Sequence, residues 1–269
     1  MKIATFNING VRGRLPSLLQ WLAKAKPDAV ALQELKAPHD LFPEAELRKA
    51  GYGVVWQGEK AYNGVAILAR GAEPVLIRKG LPGDPSDKAS RYIEAAVNGV
   101  IIACLYLPNG NPQPGPRFDY KLAWFERLIL HARALKKSGA PVVLLGDFNV
   151  VPTDADIYET TSYDDNALVQ PDSRAAYGKL LKQGWTDSIR HLHPDDTIYT
   201  FWDYFRRRWE RNAGLRIDHI LLSPDLKLKL RAAGVDTWVR GKPKPSDHAP
   251  VWVELEIGAI RKTSAKHKK

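Results

Sequence analysis

The sequence predicts an α/β fold in which two β-sheets pack face to face with helices outside them. Three observations lead there. Short apolar runs rich in β-branched residues recur through the 269 residues and alternate with stretches of helical periodicity. These runs cluster in two groups, before and after a proline-rich stretch at 108–116, each with helices attached. No linker or short repeat divides the chain, so stacking the two groups is the arrangement that buries them all.

Taken in order, Lys2–Phe6 reads as a strand and Leu15–Lys24 as a helix that Pro16 opens, with Leu18, Leu19 and Leu22 on its apolar face. Asp28–Leu32 is the next strand. Glu44–Lys49 suits a short helix, Val54–Trp56 a strand, and Asn63-Gly64 a turn before the strand Val65–Leu68. Val75–Ile77 and Tyr92–Val97 follow as strands, and Asn98-Gly99 joins the latter to Val100–Leu107 in a hairpin. Four prolines and two glycines make 108–116 a loop. Asp119–Lys137 is a long helix, with Leu122, Phe125, Leu128, Ile129 and Ala132 at helical spacing. Pro141 then leads into Val142–Leu145, a strand buried on both faces that stops at Gly146. A polar, poorly patterned stretch reaches Asp172, and Ser173–Lys182 has helical character. Tyr199–Trp202 is strand-like, and Ile217–Leu222 and Ala249–Glu256 close the set. Residues 1–257 read as one domain, and 258–269 as a basic, disordered tail.

Composition narrows the function classes. A hydrophobic content of 44% with eight Trp and ten Tyr describes a globular chain. The single Cys104 excludes an intramolecular disulfide framework and suits a reducing compartment. With no signal-peptide pattern and no apolar run of spanning length, the expectation is a cytoplasmic protein without a membrane partner. The net charge of +10 favours a phosphate-rich partner such as nucleic acid; a basic surface that only aids solubility is the alternative.

Polar groups stand where the strands end: Asn7, Glu34, Tyr106 with Asn109, Asp147 with Asn149, Asp218 with His219, and Asp247 with His248 ahead of the last strand. On an extended chain Asp147 and Asn149 point the same way, and strand ends are where layered α/β proteins gather reacting groups. Each alone has a plain explanation. Asp147 or Asp247 could cap a turn, and a lone His248 could be a structural hydrogen-bonder. Together they describe one acidic, amide-rich site suited to an oxygen-loving metal or a phosphate.

Six motifs stand in order along the chain: Thr5-Phe6-Asn7-Ile8-Asn9-Gly10, Leu32-Gln33-Glu34, Tyr106-Leu107-Pro108-Asn109-Gly110, Gly146-Asp147-Phe148-Asn149, Leu215-Arg216-Ile217-Asp218 and Ser246-Asp247-His248-Ala249-Pro250. In them the sequence resembles the exonuclease III family of apurinic/apyrimidinic endonucleases, within the deoxyribonuclease-I-like superfamily, from Met1 to about Glu256. The resemblance implies a four-layer α/β sandwich and Mg²⁺-dependent hydrolysis of the DNA phosphodiester 5′ to an abasic site, with Mn²⁺ able to substitute. It also implies 3′–5′ exonuclease and 3′-end-cleaning activities, duplex DNA with abasic sites or damaged 3′ ends as partner, and a monomer. By motif position it makes Glu34 the principal metal ligand, helped by Asn7 and Asp247. Asp147 and Asn149 would sit at the attacking water and phosphate, Tyr106 and Asn109 would contact the phosphate, and Asp218 would hold His248.

Such residue types suit that chemistry. Mg²⁺ takes carboxylate oxygens and keeps several waters, and phosphodiester hydrolysis needs a deprotonated water in line with the leaving oxygen. Cys104, inside an apolar strand, reads as core. The resemblance further places Phe201, Trp202, Leu215 and Ile217 around an apolar pocket for the abasic sugar, with ordinary core as the alternative. Arg206, Arg207, Arg208 and Arg211 read as phosphate clamps, or else as a solvated charge run. Two rivals stand beside the nuclease: a same-fold phosphodiesterase or phosphatase acting on a lipid head group, and a non-catalytic DNA-binding module. Activity on an abasic oligonucleotide against a lipid head group separates the first rival, and any Mg²⁺-dependent nicking excludes the second.

Overall fold

The computed structural model describes residues 1–257; the basic tail at 258–269 lies outside the described residues. The strands are β1 (Lys2–Asn7), β2 (Ala29–Gln33), β3 (Tyr52–Gln57), β4 (Val65–Arg70), β5 (Val75–Lys79), β6 (Tyr92–Val97), β7 (Val100–Tyr106), β8 (Val142–Asp147), β9 (Thr186–Asp187), β10 (Asp218–Leu222), β11 (Leu230–Val235) and β12 (Val251–Leu255). The helices are α1 (Val11–Ala25), α2 (Glu44–Lys49), α3 (Pro116–Lys137), α4 (Pro171–Lys182), α5 (Ser188–Leu192) and α6 (Pro224–Lys227).

Two six-stranded mixed sheets form, in the orders β11-β12-β1-β2-β4-β3 and β5-β6-β7-β8-β10-β9. The division into sheets does not fall at the proline-rich loop. β11 and β12, from the C-terminal end, complete the first sheet, and β5, β6 and β7 belong to the second. Alternation along the strands builds the layers. In β8, Val143 and Leu145 face the other sheet, where Ile3, Ala31, Ile67 and Val253 meet them. Val142 and Leu144 face outward to Trp124, Phe125 and Leu128 of α3 and Tyr177 and Leu180 of α4. On the other side, Trp21 and Leu22 of α1 and Leu47 of α2 cover Phe6, Leu32 and Leu68. The result is a four-layer α/β sandwich. Each fully buried aliphatic side chain contributes about 1.5–3 kcal/mol, and all three interfaces between layers are packed this way.

Three boundaries depart from expectation for physical reasons. α1 begins at Val11, so Pro16 lies inside it, in the second turn, where it gives up the hydrogen bond to the Arg12 carbonyl. The earlier start is held from outside the helix, because the Gly10 and Val11 N–H groups donate to the Glu34 and Leu35 carbonyls at 2.7 and 3.0 Å. β8 runs through Gly146 to Asp147. Gly146 has φ +150°, and a Cβ there would lie 1.8 Å from the Leu105 carbonyl oxygen of β7, so only glycine lets the sheet reach Asp147. Tyr199–Trp202 forms only isolated bridges, from Phe201 to Leu215 and to His248.

Topology then assembles the site. β1 is parallel to β2 and β7 to β8, so their C-terminal ends share one edge. β10 and β12 run antiparallel to β8 and β1, which brings their N-terminal ends to that same edge. Asp147 is in register with both Tyr106 and Asp218.

Candidate active site

Asp147 is the centre of the edge and is almost wholly buried. Its Oδ1 accepts the Asn149 backbone N–H at 2.8 Å, and its Oδ2 accepts Asn7 Nδ2 at 3.0 Å. Asn149 has φ +47°, so the chain turns after β8 instead of continuing extended, and this turn hydrogen bond keeps the two residues together. Asn7 donates also to Glu34 Oε1 at 2.9 Å, while its own Oδ1 accepts the Asn9 N–H at 3.1 Å. One buried amide thus spaces two carboxylates. Glu34, just past β2 with φ +51°, presents its carboxylate to the edge and pairs through Oε2 with Lys36 Nζ at 2.8 Å. Such backbone costs of order 1–3 kcal/mol and persists where neighbours fix it; here the Glu34 carbonyl accepts Gly10 N–H at 2.7 Å.

His248, ahead of β12, completes the centre. Its Nδ1 lies 2.8 Å from Asp218 Oδ2, which also accepts Thr200 Oγ1 at 2.7 Å. Its Nε2 stands 3.9 Å from Asp147 Oδ2, beyond hydrogen-bond range. Burial works against the imidazolium, but the Asp218 carboxylate and its hydrogen bond, then Asp147 and Asp247, raise the His248 pKa to about 10. Asp147 moves up to about 7: burial and the charges of Asp218 and Glu34 raise it, against His248. Glu34 moves down, because the Asn7 and Lys36 hydrogen bonds and the charges of Lys36 and His248 outweigh burial. The edge therefore holds an ionised carboxylate, a near-neutral base and a charged imidazole together. Proton acceptance, oxyanion stabilisation and cation binding are within its chemical reach.

Ligand atoms of Glu34, Asp147 and His248 lie within 4.8 Å of one another. With Nδ1 directed at Asp218 and the ring held protonated, His248 offers a cation nothing, so the available donors are the oxygens of Glu34 and Asp147. That hard, negative set fits a divalent cation of the Mg²⁺ type. Asn7 adjoins both carboxylates. Asp247, half-buried, instead accepts Asn9 Nδ2 at 2.8 Å and stands outside this trio.

The model of the endonuclease/exonuclease/phosphatase family matches residues 4–248. The chain belongs to that family. It is 34% identical to exodeoxyribonuclease III of Haemophilus influenzae, over 95% of this chain and 100% of that protein. Among solved structures it resembles the 3′ phosphatase NExo from Neisseria bound to product DNA hairpin, at TM-score 0.92 and 41% identity. It likewise resembles an AP endonuclease from Archaeoglobus fulgidus, at TM-score 0.91 and 36% identity. Both alignments cover 96% of this chain and 100% of the other. This family member is a hydrolytic nuclease of the exonuclease III type, and the family is metal-dependent.

Further exonuclease III-type motif residues surround the centre. Tyr106 ends β7 beneath Arg91, whose guanidinium lies 4.7 Å over its ring. Burial, and then the charges of Glu34 and Asp147, push its phenol well above the ordinary range. Exposed Asn109 donates from Nδ2 to Asn149 Oδ1 at 3.1 Å. A cleft of about 590 Å³ opens here, lined by Glu34, Lys36, Arg91, Tyr106, Asn109 and Arg117. Phe201 packs edge-on against His248, with ring centroids 4.9 Å apart, and joins Leu215 and Ile217 in one apolar cluster. Trp202 points the other way, against Trp209 and Ala249, because alternate residues of an extended segment face opposite sides.

The arginine segment also divides. Arg206, Arg207 and Arg211 are exposed. Arg208 is buried, donates to the Tyr163 hydroxyl and lies over the rings of Tyr158 and Tyr163. It fastens the loop at 154–172 from within. Two features escape sequence reasoning. Lys121 is fully buried beside Asn109 and Asn149; its signal was a lysine on the apolar stripe shared with Trp124, Phe125 and Leu128. Behind the edge, Arg216 joins Asp156 at 2.7 Å and Asp187 at 2.8 Å, both from segments without helical or strand patterning.

Proposed function

We propose that the protein is a Mg²⁺-dependent DNA repair nuclease that hydrolyses the phosphodiester 5′ to abasic sites, with 3′–5′ exonuclease and 3′-end-cleaning activities. The observation that carries this reading is the buried Asp147, raised towards neutrality, facing a charged His248 across 3.9 Å at an edge with metal-type oxygen donors. Asp147 accepts the proton of the attacking water, which Asn149 orients. His248, held charged by Asp218, donates from Nε2 to a non-bridging phosphate oxygen. Tyr106 and Asn109 hold the same phosphate from the cleft side. Glu34, with Asn7 and Asp247, would hold a divalent cation, and bound there it would supply positive charge against the charge developing on the phosphate. The water oxygen bonds to phosphorus as the bond to the 3′ oxygen breaks, leaving a 3′-hydroxyl and a 5′-phosphate.

The apolar group Phe201, Leu215 and Ile217 beside His248 suits a flipped sugar without a base, which such a surface admits and a full nucleotide does not. Arg206, Arg207 and Arg211 suit the DNA backbone. The relatives named as a 3′ phosphatase and an AP endonuclease support both halves of the reading.

The test compares three duplexes at fixed Mg²⁺: one internal abasic analogue, one 3′-phosphate and one intact. Nicking of the first, end-cleaning of the second and slow digestion of the third are expected, all abolished by EDTA and restored by Mg²⁺. Hydrolysis of a phosphoinositide head group with no nicking of the abasic duplex would overturn the reading.

A further inference from the structure

Lys121 is a fully buried lysine with no assigned part in the chemistry above. It projects from the inner face of α3, where its neighbours one and two turns on are Trp124, Phe125 and Leu128. Its stem passes Gly110, where a Cβ would lie 2.6 Å from Lys121 Cδ; the glycine, at φ +90°, leaves the lysine its path. The ammonium donates to three backbone carbonyls: Asn149 at 2.6 Å, Asn109 at 3.1 Å and Ala167 at 3.1 Å. Three donors meet three acceptors, so the group is fully satisfied without a carboxylate. Burial still works against its charge and draws its pKa down to about 7, with Asp147 acting the other way. A buried cation is costly, so what it holds together matters.

The three carbonyls belong to three separate segments: the proline-rich loop, the turn after β8, and the irregular loop at 154–172. These are also laced at the surface. Asn111 Nδ2 donates to Asn166 Oδ1 at 3.0 Å, and Asn111 Oδ1 accepts the Ala167 N–H at 2.9 Å. Ser173 Oγ shares the Ala167 carbonyl at 2.7 Å. Two of the segments carry Asn109 and Asn149, whose side chains meet at 3.1 Å beside Asp147.

We propose that Lys121 is a positioning residue for the hydrolysis: by pinning the backbones of Asn109, Asn149 and Ala167 it fixes both asparagine side chains and makes the 154–172 loop a rigid wall of the site. This rests on the roles given to Asn109 and Asn149 under the proposed function. A misplacement of about 1 Å at reacting groups costs on the order of a hundredfold in rate, and Lys121 prevents a shift of that size.

The experiment uses the full chain with saturating abasic duplex and Mg²⁺ in single turnover. Lys121→Met keeps the stem and removes the ammonium, Asn111→Ala cuts the surface lacing, and Leu128→Ala truncates the core on the same helix away from the pin. Rates are read at a temperature where all are folded. Lys121→Met should slow cleavage about a hundredfold at unchanged DNA affinity. Asn111→Ala should slow it about tenfold, on the order of a tenth of that effect. Leu128→Ala should melt lower but cleave at nearly the wild-type rate. Hydrogen exchange in 107–113, 148–151 and 163–169 should rise in Lys121→Met and not in Leu128→Ala. Wild-type rates in both Lys121→Met and Asn111→Ala would overturn the proposal, as would an equal loss in Leu128→Ala. If Lys121→Met does not fold, Asn111→Ala decides alone. If the wild type nicks no DNA, the functional reading fails, and hydrogen exchange still decides whether Lys121 pins the three segments.

Discussion

Among the described residues two buried histidines lie close to carboxylates, and they are driven in opposite directions. His248 faces Asp218 and Asp147, and its pKa rises to about 10. His219, the residue after Asp218, falls to about 4, through burial first and then the Arg216 guanidinium. Its Nε2 lies 3.0 Å from the Val150 carbonyl and its Nδ1 lies 3.0 Å from Arg216 Nη1, so the neutral ring donates from one nitrogen and accepts at the other. The surrounding network is balanced: Asp156 and Asp187 against Arg216 and Arg190, with the Tyr177 hydroxyl donating to Asp187 at 3.0 Å. Around His248 the carboxylates Glu34, Asp147 and Asp218 outnumber His248 and Lys36. Burial is common to both; charge balance separates them. A closed, neutral network is a strut, whereas the excess negative charge at the strand edge suits a bound cation.

The largest effect that can break this comparison is on rate. Asp147→Asn removes the proposed base and should lower single-turnover cleavage about a thousandfold, within the usual range for a general base. DNA affinity should hold or rise, since a negative charge facing phosphate has gone. A near-normal rate in this variant would leave the edge no more catalytic than the strut.

On the other side, Arg216→Met strands two buried carboxylates and should cost about 3–5 kcal/mol of stability. Urea unfolding measures it. Below the melting transition the variant should still cleave near the wild-type rate, and a loss of cleavage without a loss of stability would move Arg216 into the chemistry.

Asp218→Asn tests the origin of the charge on His248. With His248 needed in its charged form, activity should fall at high pH as the ring loses its proton. An opposite charge at this range shifts a pKa by about one to three units, so in the variant this alkaline limb should move down by that amount. The comparison is made at one Mg²⁺ concentration, where ionisation of bound water contributes equally to both proteins. An unmoved limb would assign it to another group.

The edge was legible in the sequence because strand exits are local features: an apolar run followed at once by Asn, Glu or Asp shows itself without the fold. Which sheet each strand joins was not legible. β11 carries Arg231 and Gly234 in a short run, and its pairing with β12 is a tertiary fact. The pairing of Asp218 with His219 as one polar exit was half right, because alternation sends Asp218 to the edge and His219 to the helix side, against Tyr177. Arg208 and Lys121 were hidden for one reason: charge is read as exposed until the partners that bury it are known. Trp202, similarly, shares its segment with Phe201 but not its face.

The finest test is the slope of stability with pH, where the two clusters oppose each other. His219 has a folded pKa of about 4 against 6.5, so its neutral form stabilises the fold above 6.5 and that contribution is lost as pH falls towards 4. Asp147, raised to about 7 from 3.8, binds its proton more readily in the folded state, so acidification over the same window stabilises. In the wild type these slopes partly cancel. The raised His248 adds little below pH 6.5, where its contribution is already complete, and Asp156, lowered to about 2, acts only below the ordinary Asp range. Asp147→Asn therefore exposes the His219 slope. In that background, urea unfolding should show about 2 kcal/mol less stability at pH 5 than at pH 7, from 1.36 kcal/mol per unit below 6.5. Adding His219→Leu should flatten the slope whatever it does to stability at pH 7. A flat response in Asp147→Asn alone would mean that His219 is protonated in its network and that the contrast between the two histidines is one of position alone, whereas a slope that survives both substitutions would assign it to another buried group, with Lys121 the first to examine.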